Sequence, residues 1–140
     1  MYSIDDFNNF FKIYANNMLE NFRKKLININ DNYGHKGTYG SSMHLKELSD
    51  AFSLYADDLI NNLISEIQKN LAPEVSSNFF NGLTNNKVYL DELREIVSDK
   101  IRSIEKPYGK SVDQSYVSIV DKVYSNKEYE LILRLEHMKF

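Results

Sequence analysis

The residues best suited to chemistry in this 140-residue chain lie close together, in Tyr33-Gly34-His35-Lys36-Gly37-Thr38-Tyr39-Gly40. Gly34, Gly37 and Gly40 recur at every third position and lead into an apolar helical stripe. Glycines let a backbone approach a ligand closely, and the free N–H groups of a helix start hold anions. The stretch is therefore a candidate phosphate or carboxylate loop. It is no Walker A loop, because Gly-Lys-Ser/Thr is missing and no strand pattern precedes it. A plain connector has the same composition and is the simpler reading.

The three histidines are His35, His44 and His137. His44 and Glu47 stand one helical turn apart, a spacing that metal sites use, although a surface pair or a helix cap uses it more often. The paired Glu-x-x-His motifs of di-iron bundles are missing. Asp57-Asp58 and Asp91-Glu92 read as solvated faces or first-turn acids. With no cysteine in the chain, a disulfide framework, a thiolate zinc site and a Cys nucleophile are excluded. The sequence assigns no catalytic residue, no cofactor and no metal.

The elements that must position these groups are helices. Ile4, Phe7, Phe11, Tyr14, Met18, Phe22, Leu26 and Ile29 fall at steps of three and four, which predicts a helix over 4–29 capped by Ser3. Residues 30–41 read as a loop, and Ser41 or Ser42 caps a second helix over about 43–71, ended by Ala72-Pro73. A connector at 72–86 holds room for a short helix started by Pro73 and stopped at Gly82. Asn85 or Asn86 caps a helix over about 87–106, and Ser111 caps another carrying Val112 to Tyr124. Residues 126–139 alternate like a strand but contain a capping box, Ser125 to Glu128, and strong helix formers. Helix is the favoured reading there.

The expected fold is all-α, a single domain over 1–140 built as a four- to five-helix bundle with a long N-terminal antiparallel hairpin. Phe11–Phe22 aligns without gaps to Phe52–Leu63, with Tyr-Ala followed by acid or amide residues in both. Shared composition explains this simply; a pseudo-twofold hairpin explains it more sharply. A loop centred in 30–41 puts Ala15 level with Ala56. If the long helices alternate in direction, that loop and the 107–110 turn meet at one end of the bundle. Tyr33, His35, Lys36, Tyr39, Tyr108 and Lys110 would then form a basic, tyrosine-rich tip suited to contact with a partner.

Apolar residues make up 42% and charged residues 26%, values that argue against a disordered chain. No window is apolar enough for a membrane span, and the N-terminal residues carry no leader pattern, so a cytoplasmic location and no membrane partner are expected. The net charge of −3 speaks against general nucleic-acid binding. Sixteen Asn with many Lys, Ile and Tyr suggests AT-rich coding, as in bacteria or phages. The leading expectation is a non-enzymatic protein–protein interaction module, of the accessory, inhibitor or immunity type, with an unknown protein partner or a second copy of itself. An anion- or nucleotide-binding protein or enzyme using the Gly34–Gly40 loop is the alternative. A nucleic-acid binder using Arg23-Lys24-Lys25 and Lys100, Arg102 and Lys106 is the third.

Overall fold

The computed structural model describes residues 3–70, 86–106 and 116–137, all of them helical apart from short caps and one turn. The helices are α1 (Ile4–His35), α2 (Ser42–Asn70), α3 (Lys87–Glu105) and α4 (Tyr116–His137). The all-α bundle read from the sequence is the architecture found. The connector helix expected in 72–86 and the Ser111 cap fall outside the described residues.

Contacts fix the topology. Asn86 donates to Asn8 (2.8 Å) and Tyr89 meets Phe11 edge-on (6.1 Å), so α3 starts beside the start of α1 and runs with it. Lys127 pairs with Asp57, and Arg134 donates to Asn61 (2.7 Å), so α4 runs with α2. The hairpins are antiparallel, which makes an up-down-up-down bundle. α1 packs on α2 and α3, α4 packs on α2 and α3, and α2 also reaches α3 across the diagonal. The apolar stripes close into one core in which Phe7, Phe11, Phe22 and Phe52 are fully buried.

Three boundaries differ from expectation for identifiable reasons. α1 runs six residues beyond Ile29, because Tyr33 continues the buried stripe through the last turn. The helix then stops in a Schellman arrangement: Thr38 N–H donates to Tyr33 O (3.0 Å) and Gly37 N–H to Gly34 O (3.2 Å), with Gly37 at φ +71°. Residues 116–137 are one helix. Ser125 starts nothing there, since its hydroxyl donates to the Asp121 carbonyl (3.1 Å) in mid-helix. Asn86 makes no side-chain cap and is drawn instead to Asn8. Ser3 and Ser41 do cap, accepting from Asp6 N–H (3.1 Å) and His44 N–H (3.2 Å).

The shorter turn moves the hairpin register. Phe22 packs on Tyr55 (4.9 Å) and Tyr33 on His44 (4.7 Å). That register is about six residues, roughly 9 Å at 1.5 Å per residue, away from a level pairing of Ala15 with Ala56, so the two alanines do not face each other. Both alanines are nonetheless completely buried.

Candidate functional site

The end of the α1–α2 hairpin is organised around His44, which is completely buried. Its Nδ1 accepts from Gly40 N–H (2.9 Å), so Nδ1 carries no proton. Nε2 must then be the protonated nitrogen, and it donates to Asn30 Oδ1 (2.7 Å). Tyr33 stacks on the imidazole (17° between planes), and Tyr39 tilts against it at 4.9 Å. Burial pulls the imidazole below its usual range, with Glu47 acting in the opposite sense. A hydrogen bond to Glu47, and then burial, raises the Tyr33 phenol. His44 is a neutral structural pin, not half of a surface pair with Glu47.

The glycine spacing resolves into three separate jobs. Gly34 lies inside the last turn of α1, Gly37 takes the left-handed position after it, and Gly40 (φ +80°) turns the chain into the Ser41 cap. The N–H groups of Lys36, Gly37, Thr38, Gly40 and Ser41 all have acceptors within the turn. An anion would find those donors already engaged.

The expected tip residues separate accordingly. Tyr33 is buried and so is corrected from a contact residue to part of the turn's packing. His35, Lys36 and Tyr39 are exposed, Tyr39 by 49%, with the Lys36 ammonium 5.7 Å from the Tyr33 ring centre. Met43, which the sequence reading passed over, is 72% exposed beside them. Its signal was available: it precedes the stripe that starts at His44 and Leu45. Tyr108 and Lys110 lie outside the described residues. Of the proposed basic patches, Arg23 pairs with Glu20 (3.6 Å) and Arg102 with Asp99 (3.2 Å), which dilutes both.

A second cluster joins α3 to α4. The Tyr124 hydroxyl reaches both Asp91 and Glu128 (2.9 Å), and with one proton it donates to one carboxylate at a time. Lys87 pairs with Glu128 (3.0 Å), and the Arg94 guanidinium lies 4.0 Å from the Tyr124 ring centre. Burial first, then the two carboxylates, pushes the Tyr124 phenol far above its ordinary range. The hydrogen bond from Lys87 holds Glu128 below the usual carboxylate range. Asp91 is thus part of a helix-joining clasp and, as the fifth residue of α3, lies beyond the first turn, so it is not a first-turn acid.

On the outer side of the hairpin, a groove of about 400 Å³ runs between α1 and α2. Its walls include Tyr14 and Tyr55, Asn17 and Asp58, Asn21 and Asn62, which are equivalent positions of the internal repeat. Matching burial alone follows from two amphipathic helices in phase. Equivalent positions lining one groove are what a pseudo-twofold hairpin would give, with Tyr55 packed on Phe22 and Tyr14 on Phe11. Ile13 and Leu54, also equivalent, are 67% and 64% exposed. Where the repeat diverges, at Asn16 and Asp57, the added charge on α2 meets Lys127 of α4.

Among the described residues no group of three or more His, Asp or Glu side chains could hold a metal ion. None of their helices is long and apolar enough to cross a membrane. Comparison of the chain with protein-family models, with curated proteins and with solved structures finds no match in any of the three.

Proposed function

We propose that this chain is a non-enzymatic protein–protein interaction module that presents the end of its α1–α2 hairpin. The observation that carries the reading is a turn held rigid from within while its outer side chains, Tyr39 resting on His44 and Lys36 over Tyr33, stay exposed to solvent. His44, Tyr33 and Asn30 fix the backbone of 36–41; His35, Lys36, Tyr39 and Met43 project from it. Side chains ordered before contact lose less entropy on binding, so such a tip binds more tightly for its size. Aromatic, Met and basic residues are also those enriched in interfaces. From Asn8 and Asn86 onward α1 outruns α3 by about eight residues, roughly 12 Å at 1.5 Å per residue, which sets the tip forward of the described part of α3.

The anion-loop alternative loses ground because the N–H groups of Lys36, Gly37, Thr38, Gly40 and Ser41 already have acceptors, and the nucleic-acid alternative because its arginines are paired within the chain. The test is capture from the native host with mass spectrometry, comparing the wild type with a Lys36→Ala, Tyr39→Ala, Met43→Ala triple variant. Lys36 and Met43 are exposed, and their replacement should leave thermal stability nearly unchanged. Tyr39 also covers the His44 ring, so a thermal melt of the variant checks that it is folded before capture is compared. One dominant protein captured by the wild type and lost by the variant supports the reading. Equal capture by both, or affinity for nucleic acid that collapses with salt, overturns it.

A further inference from the structure

We propose that His44 is a proton-operated latch: when its Nδ1 is protonated, the 36–41 turn is released while α1 and α2 stay folded. The argument starts from the two hydrogen bonds of one ring. Nε2–H donates to Asn30 Oδ1 in the neutral and the charged imidazole alike, so the α1 side of the ring remains tethered. Nδ1 can accept from Gly40 N–H only while it lacks a proton. A proton there sets N–H against N–H at 2.9 Å. That bond is lost, and Gly40 must move away.

The surroundings sharpen the effect. From α1 the ring meets Asn30 and Tyr33, neither of them charged; from the turn it meets Tyr39, with Lys36 on Tyr33 behind. From α2 it feels Glu47, whose carboxylate is taken up by the Tyr33 phenol. None of the described residues of α3 or α4 makes a hydrogen bond, ion pair or ring contact with it. His44 is also the third residue of α2, where the positive end of the helix dipole opposes a cation. Gly40 immediately precedes the Ser41 cap, so its displacement loosens the Ser41 bond to His44 N–H as well. Tyr39 lies on the released segment.

Opening is a property of the fold and needs no partner, so its failure and the failure of the interaction reading are separate results. The test is amide exchange and ring-proton NMR on the full chain from pH 7.5 to pH 4.5. Gly40 protection, corrected for intrinsic exchange, should fall below about pH 6.5 by up to about tenfold per pH unit, the slope of one proton. Amides in the middles of α1 and α2 should keep theirs, and the His44 ring should titrate below its ordinary range, where the fall in Gly40 protection levels off. His44→Asn keeps an acceptor oxygen near the Nδ1 position and removes the proton, so its Gly40 amide should be insensitive to pH. Titration of His44 at its ordinary pKa with Gly40 protection unchanged overturns the latch. So does simultaneous loss of α1 and α2 amides, or the same pH response in His44→Asn. Should that variant not fold, the wild-type comparison of Gly40 with mid-helix amides decides alone.

Discussion

Replacing Tyr124 with Phe tests whether the clasp between α3 and α4 contributes to stability. The ring is 7% exposed, so the substitution keeps its burial and the Arg94 contact at 4.0 Å and removes only the hydroxyl. That hydroxyl donates to ionised carboxylates, a bond worth about 1.5–3 kcal/mol net. Glu128 retains Lys87 at 3.0 Å, which limits the damage on its side; Asp91 feels the same ammonium only as a weaker, longer-range charge. The expected loss is therefore about 2 kcal/mol, measured by urea unfolding at pH 7. A second signature separates the hydroxyl from general damage. The native phenol holds its proton above its ordinary range, whereas an unfolded tyrosine releases it near pH 10. The unfolded state thus loses a proton that the native state keeps, and wild-type stability falls as pH rises through about 10. Tyr124→Phe should flatten this alkaline loss. A variant within about 0.5 kcal/mol of wild type at pH 7, with the same alkaline slope, refutes the reasoning.

Gly34→Ala should stabilise the chain by about 0.4–1 kcal/mol, because the site is helical and a Cβ there meets nothing. Gly37→Ala should destabilise it, since φ is +71° although the space is equally open; paired thermal melts check both signs. Ala15→Leu and Ala56→Leu each add bulk at a fully buried position and should cost about 1–3 kcal/mol in urea unfolding. At the acid end, the depressed Glu128 contributes stability that is present above about pH 4.5 and lost as pH falls from there through its native value. Lys87→Met should weaken that acid dependence in pH-dependent urea titrations.

The helices were legible because their stripes are long: Phe7 to Ile29 and Leu45 to Ile67 are buried where the period places them. The end of α1 was not legible. Asn30-Asp31-Asn32 and three glycines have turn-like propensities, and only packing of Tyr33 against a residue eleven positions later overrides them. His44 gave no local sign of burial either, since its two partners, Asn30 and Gly40, become neighbours only once the hairpin closes. The merging of residues 116–137 into one helix was half legible, because alternation over Tyr129 to Leu135 imitates a strand until Leu131 and Leu135 are placed on the core. Which side chains of the turn face outward is set by the Schellman geometry, which the glycine spacing alone does not reveal and which moves Tyr33 inside.

The His44 arrangement also bears on the order in which the chain folds. Asn30 and His44 are fourteen residues apart, a short loop whose closure costs little entropy. By contrast, the Asn8–Asn86 and Asp57–Lys127 contacts close loops of 78 and 70 residues. The first hairpin is therefore the natural nucleus, and the second docks onto a template already formed. Substitutions at Tyr33 or His44 should then slow refolding, while those at Lys127 should act mainly by speeding unfolding.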